Sequence, residues 1–260
     1  MISVFMIPRQ QLYKLIMVRW YWLKIQYKKL MESNQEINFR RLEDLKQAIG
    51  GKKNIVVMCS GPTANRMQPS QDDFYLVTND SYKLVQNQDF LYYVHDGFFI
   101  RRFFANQPFC DNHDKSIFLY RSLNKPHLGN FKHFLKRKRH LSNQNFVISD
   151  FEDNVAHAND NYDDFHNFFE KHQIHTKIQN SGIFLLLLGF YIAYHNDLNL
   201  KIYGLDLGLG GKVHFEKGGF IGVSITHDRV KVNTKLQLDR MYQILGNRIE
   251  NHSNFNSNVE

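Results

Sequence analysis

The chain has 260 residues, 43% of them hydrophobic and 14% aromatic, enough to fill one principal core and too much for global disorder. With 33 Lys and Arg against 25 Asp and Glu it carries a formal charge of +8, which favours anionic partners such as nucleotide phosphates, acidic glycans or lipid head groups. Cys59 and Cys110 are its 2 cysteines and form no CxxC pair, which argues against a disulfide framework or a cysteine zinc site and fits a reducing cytoplasm.

Met1 to Ile7 is apolar, but no charged segment precedes it and no small-residue cleavage site follows it, so no secretory signal is expected. From 9 to 31, Leu12, Ile16, Trp20, Leu23, Tyr27 and Leu30 recur at the spacing of one helical stripe. Lys14, Arg19, Lys24, Lys28 and Lys29 surround Trp20, Tyr21 and Trp22. A basic helix of this kind lies on an anionic membrane surface, packs on its own domain, or meets a second copy of the chain. Residues 32 to 53 read as a connector plus a short helix. The expected organisation is therefore an N-terminal basic amphipathic helix and connector at 1–50, one α/β domain at 51–250, and a disordered tail at 251–260.

After Gly50 and Gly51 the pattern becomes regular. Asn54 to Met58 is a β-branched apolar run that ends in Cys59-Ser60-Gly61-Pro62-Thr63, a buried strand entering a tight turn. Phe74 to Thr78, Phe90 to Val94 and Ser116 to Tyr120 follow as further strands, with Asn79-Asp80 and His95-Asp96 at the carboxyl ends of the first two. Residues 124 to 146 interrupt the series with the basic run 132–140, KHFLKRKRH, either a solvated face or a lid for an anionic substrate. Residues 150 to 175 mix acids and histidines without calcium-loop or HExxH spacing, so no metal site is expected. Ile183 to Tyr194 is too short to span a bilayer and reads as a buried helix, followed by a short strand and the turn Gly204-Leu205-Asp206. Thr226 to Arg248 reads as an amphipathic closing helix, with Val230, Val232, Leu236, Leu238, Met241, Ile244 and Leu245 as its apolar positions. The fold expected is α/β: a Rossmann-like, mostly parallel sheet with helices on both faces and ligands at the carboxyl ends of the strands.

Two turns share a phosphate-binding design. Ser60-Gly61-Pro62 stands between a strand and a helix start, where small residues let the backbone approach a ligand and free amides attract an anion. Asn180, Ser181 and Gly182 stand at the start of the apolar helix, where unpaired amides and the helix dipole favour negative charge. His227, in ITHDRVKVNTKL, follows Ile225-Thr226 and precedes a helix, a placement that suits a general base; His214, in GKVHFE, is the other candidate.

SGPT at 60–63, TND at 78–80, QNSG with the apolar helix and YGLDL at 179–207, and THD at 226–228 together resemble the sialyltransferases. The order is similar to that of the bacterial lipooligosaccharide enzymes of glycosyltransferase family 42, with an echo of the animal enzymes of family 29 in the block 180–207. The resemblance covers roughly residues 53 to 246. It implies a GT-A-like variant of the Rossmann domain, a CMP-activated sugar as substrate, no metal or other cofactor, and inversion at the anomeric carbon. On matching positions it gives Ser60, Gly61 and Asn79 to the cytidine nucleotide, with Pro62 and Asp206 at the same nucleotide site, and Asn180, Ser181 and Gly182 to its phosphate or ribose. His227 becomes the base that deprotonates the acceptor hydroxyl, and His95 or Asp96 falls near a nucleotide-binding asparagine.

Two departures bear on the donor: Cys59-Ser60 replaces an asparagine of the first turn, and Gly208, Leu209 and Gly210 replace tyrosines after the acidic turn. Lys212 and His214 would then support the leaving phosphate, and a related ulosonic acid such as Kdo is as fitting a donor sugar as sialic acid. The implied context is cell-surface polysaccharide synthesis, lipopolysaccharide or capsule, at the inner face of a bacterial membrane. The acceptor expected is a glycan or glycolipid, membrane contact through residues 9–31 stays one of the three readings of that helix, no nucleic acid is expected, and an oligomer is compatible.

GLDLGLGGKVH at 204–214 also resembles the corresponding turn of MptE-like proteins, which include flagellin-modifying enzymes and a pterin pyrophosphokinase. That reading would make Asp206 and His214 central and bring in ATP and magnesium. A third reading is a non-catalytic module that binds an acidic glycan or a membrane through the basic stretches at 9–31 and 132–140.

Overall fold

A computed structural model of the chain describes residues 16–24, 42–93, 98–99, 102–103, 117–120, 146–149, 167–175, 180–209 and 228–255. Its centre is a seven-stranded sheet, parallel throughout, in the order β5-β4-β3-β2-β1-β6-β7. The strands are β1 Asn54–Met58, β2 Asp73–Val77, β3 Phe90–Tyr93, β4 Ile117–Tyr120, β5 Phe146–Ser149, β6 Asn199–Tyr203 and β7 Ile249–Asn251. The expected α/β, Rossmann-like architecture is what the chain adopts.

The central strands are apolar runs because both of their faces are covered. Ile55, Val57, Phe74, Leu76, Leu91, Leu200 and Ile202 point to one face, where they meet α1 (Leu42–Ile49), α2 (Ser181–His195) and α3 (Asp228–Leu245). Val56, Met58, Tyr75, Val77, Phe90 and Tyr92 point to the other, against Tyr21, Ala64, Met67, Tyr82, Phe98 and Phe103.

A parallel strand buried on both faces gains little register information from its apolar pattern, because a slip by one residue exchanges one apolar face for another. Polar residues at the amino ends supply it. Asn54, Asp73 and Asn199 stand side by side at the starts of β1, β2 and β6. Asn199 Nδ2 donates to Asn54 Oδ1 at 3.0 Å, and Asn54 Nδ2 donates to Asp73 Oδ1 at 2.6 Å. Tyr75 Oη donates to Asp73 Oδ2 at 3.0 Å, while Lys201 Nζ lies 3.7 Å from Asp73 Oδ1.

The apolar helix foreseen at 183–194 is α2, and it is buried around most of its circumference between the sheet and α3. It approaches the sheet closely at Gly189, where an added Cβ would stand 2.5 Å from Val57 Cγ2 and 3.3 Å from both Leu76 Cδ1 and Leu200 Cδ1. α3 closes this face with Leu238, Met241 and Leu245, and Arg240 Nε donates to the His172 carbonyl at 2.8 Å. Of the apolar positions expected to face inward from this helix, Val232 and Leu236 are exposed instead. They lie on the side of the helix opposite Leu238 and Met241, a distinction that composition alone does not draw.

Three further expectations are corrected. β5 and β7 were not foreseen: β5 is four residues long and follows a basic run, and β7 is three residues long and follows a helix almost without a break. The tail expected to be disordered from 251 is ordered to Phe255, because β7 pairs with β6 and Ser253 and Phe255 are buried behind it. Residues 16–24 are helical as expected, but Met17, Val18 and Tyr21 form the side packed on the domain, and Ile16, Trp20 and Leu23 face outward. The basic run at 132–140 lies outside the described residues. Among the described residues no helix is long and apolar enough to cross a membrane.

Gly189→Ala gains about 1 kcal/mol of helix propensity. It also forces a methyl group against the rigid Val57 side chain, and overpacking of this kind costs about 1–3 kcal/mol. We expect a net loss of stability, read as a lower urea midpoint; an unchanged or higher midpoint would show that α2 can lift off the sheet without penalty.

Candidate functional site

The strand order reverses at β1: β2 to β5 extend on one side of it, and β6 and β7 on the other. In an open α/β sheet the crevice outside the carboxyl ends at such a reversal is where ligands bind. Three turns meet there with the start of α2: the one after β1, continued by the 3-10 helix Pro62–Arg66; the one after β2, at Thr78-Asn79-Asp80; and the one after β6, from Gly204 to Leu209.

Asp206 ties the turns after β1 and β6 together from beneath. It is 1% exposed, and both of its oxygens are engaged. Oδ2 accepts from the Thr63 amide at 2.8 Å, and Oδ1 accepts from Thr63 Oγ1 at 2.7 Å and from the Asn254 amide at 2.8 Å. Thr63 Oγ1 in turn accepts from the Gly204 amide at 3.0 Å, and Ser253 Oγ accepts from the Leu205 amide at 3.0 Å. A buried carboxylate needs such donors to offset its lost hydration. Asp206, one of the residues expected at the nucleotide, holds the turns after β1 and β6 and the residues after β7 in one arrangement.

Glycines make the close approach possible. A Cβ on Gly61 would stand 2.4 Å from Asp206 Oδ2 and 2.5 Å from the Gly204 carbonyl oxygen. Gly204 has φ +70, and a Cβ there would stand 2.4 Å from the Cys59 carbonyl oxygen. The first turn therefore differs from the expected phosphate cradle. The Gly61 amide donates to the Gly204 carbonyl at 2.9 Å, the Thr63 amide goes to Asp206, the Ala64 amide donates to the Gly61 carbonyl at 3.0 Å, and Pro62 has no N–H. The backbone of 61–64 is engaged within the fold, and what this turn presents to the rim is the part-exposed Ser60.

The start of α2 keeps the expected design. Asn180 is its N-cap, with extended backbone and Oδ1 accepting from the Ile183 amide at 3.0 Å. Ser181 and Gly182 follow at the first two helical positions. Gly182 brings this end against the first turn: a Cβ there would stand 2.9 Å from Cys59 Sγ. Asn79 joins from β2 in the left-handed region, φ 52, which Asn tolerates better than most residues, and its Nδ2 donates to Ser60 Oγ at 3.4 Å. Behind it Asp80 pairs with Arg102 at 2.8 Å. The structure thus brings together Ser60, Asn79, Asn180, Ser181 and Gly182 at one rim, with Gly61, Pro62 and Asp206 forming its support.

His95, Asp96, Lys212, His214 and His227 lie outside the described residues. Among the described residues no three His, Cys, Asp or Glu side chains stand together as a metal cage. Sequence reasoning missed Thr63 and Ser253 as partners of the Asp206 turn. Thr63 stood inside a quoted motif, and the following Ala64 and Asn65 gave no sign of its two-sided hydrogen bonding. Compared with known proteins, the chain matches no family model, no curated protein and no solved structure.

Cys59 lies directly under this rim, and burial, then the Asp206 charge, push its thiol from an ordinary 9.0 up to about 12. It is an inert packing group despite its place. Because the folded value lies above the unfolded one, its contribution to stability is complete below about pH 9 and is lost as the pH rises toward 12. We expect iodoacetamide at pH 8 to leave Cys59 unmodified in the native protein and to alkylate it in denaturant, as mapped by peptide mass spectrometry. Native-state labelling would overturn its burial under the rim.

Asp206→Asn turns an NH2 group toward donors that the carboxylate now accepts, which should lower stability by about 2 kcal/mol in urea unfolding. A variant as stable as the parent would show that the turns after β1 and β6 and the residues after β7 hold without this carboxylate.

Proposed function

We propose that the chain is an inverting glycosyltransferase that needs no metal and moves sialic acid or a related ulosonic acid such as Kdo from a CMP-activated donor to a cell-surface glycan. The observation that carries this reading is the meeting, at the strand reversal, of the α2 N-terminus with Ser60 and Asn79. A helix start placed at the rim stabilises a departing phosphate without a cation. Ser181 and Gly182 would receive that phosphate, and Asn180 and its cap would fix the helix end. Ser60 and Asn79 would contact the ribose or base, while Asp206 and Thr63 would keep the rim from spreading.

In the reaction the acceptor hydroxyl oxygen attacks the anomeric carbon as the bond from that carbon to the CMP phosphate oxygen breaks. The bonding electrons leave with CMP, and the hydroxyl proton passes to a base. His227, next to the first residue of α3 in sequence, takes that role in this reading, with His214 and Lys212 supporting the phosphate and His95 near the nucleotide. The work would take place on the cytoplasmic side of a bacterial plasma membrane, where such donors and lipid-linked acceptors meet.

Calorimetric titration with CMP in chelator tests the reading, with ATP and magnesium as the contrast. We expect CMP to bind without metal, and His227→Ala to keep CMP affinity while losing at least about 100-fold in turnover with a CMP-sugar donor, the scale of a general base. A folded protein that ignores CMP would sink the proposal, and binding of ATP only with magnesium would favour the pyrophosphokinase-like reading in its place.

A further inference from the structure

The helical residues 16–24 use an unexpected side to touch the domain. Tyr21, 5% exposed, packs edge-on to Phe98 with ring centroids 5.7 Å apart, and Met17 and Val18 pack beside it. The stripe at helical spacing, Ile16, Trp20 and Leu23, is turned outward at 57%, 48% and 59% exposure, and Trp22, on another side of the same helix, is 48% exposed. Single exposed apolar residues are ordinary, but a contiguous stripe that includes Trp20 marks a contact surface.

Charge decides among its occupants. Every charged residue from Arg9 to Lys29 is a cation, and the first acid in the chain is Glu32. Arg19 is exposed next to the stripe, and the Lys24 ammonium lies 5.3 Å from the Trp20 ring centroid. A second copy of the chain meeting this face about a two-fold axis would bring cation against cation and supply no anion. An anionic bilayer suits both features: its acyl boundary takes the apolar stripe, its headgroups take the cations, and indole rings favour that interface. We propose that residues 16–24 lie on an anionic lipid surface, with Ile16, Trp20 and Leu23 inserted and Arg19 and Lys24 at the headgroup phosphates. The contact deepens the membrane location contained in the transfer reading, and it is measured without nucleotide, so either can fail while the other stands.

The chain's 2 tryptophans are Trp20 and Trp22, so its tryptophan emission reports on this helix alone. The test is titration of the full chain with vesicles of mixed phosphatidylglycerol and phosphatidylcholine, and with vesicles of phosphatidylcholine alone, followed by emission and flotation. We expect a blue shift and flotation with the anionic vesicles, both weakened by salt, and little of either with the zwitterionic ones. Leu23→Asp should abolish the response, and Arg19→Gln should weaken it about fivefold. Both positions are exposed, so circular dichroism should match the parent. No response to anionic vesicles, or equal binding to both lipids, would overturn the proposal. A vesicle-independent blue shift that disappears on dilution together with a dimer mass would assign the stripe to a second copy, and a saturable shift with polyglutamate but not with vesicles would assign it to an acidic protein; either outcome overturns the bilayer.

Discussion

The upper end of this fold depends on one buried carboxylate. Parallel strands leave the sheet at different points along the chain, and nothing in the β-ladder itself fixes the turns that follow them. Asp206 does so for three segments at once, because Thr63 offers it both an amide and a hydroxyl and Asn254 offers an amide. An ionised group this deep is tolerated only with its acceptor sites filled. The residues after β7 therefore take part in the same arrangement as the turns after β1 and β6, and the chain stays ordered past the last strand.

That arrangement changes what each turn can offer a ligand. Small residues after β1 invite the thought of a phosphate loop, yet here Gly61 makes room for Asp206 and its amide goes to the Gly204 carbonyl. The helix start at Asn180 differs because an α-helix by its geometry leaves its first amides without intrahelical partners. Two stretches of similar composition thus differ in structure: the first turn is tied to the turn after β6, and the second is a capped helix start. Cys59 shows the same logic from the side-chain end: it touches the helix start at the rim, but burial keeps it protonated.

The sheet is pinned at both ends by polar groups and filled between them by apolar ones. The Asn54, Asp73 and Asn199 ladder sets the register at the amino ends, and the Asp206 network sets the turns at the carboxyl ends. Between them, α2 lies close against β1 through Gly189, and Gly182 seats the helix start against Cys59. Such close packing is what a site built on helix dipoles and side-chain amides requires, because its donors must already point at the ligand when it arrives.

The sequence by itself determined the fold class, the central strands and the buried nature of α2. Those features follow from local composition: β-branched runs bounded by turn residues, and a helix too apolar to face water. Only the tertiary structure decided the roles of residues whose chemistry depends on distant neighbours. It placed β5 and β7 in the sheet, since strands of four and three residues carry too little pattern to be seen without their partners. It also turned Ile16, Trp20 and Leu23 outward, because an apolar stripe records that a face meets something apolar and not what that is. Asp206 and Thr63 are 143 positions apart in the chain, and no local pattern could have shown that a carboxylate suited to a ligand would find its donors inside the protein.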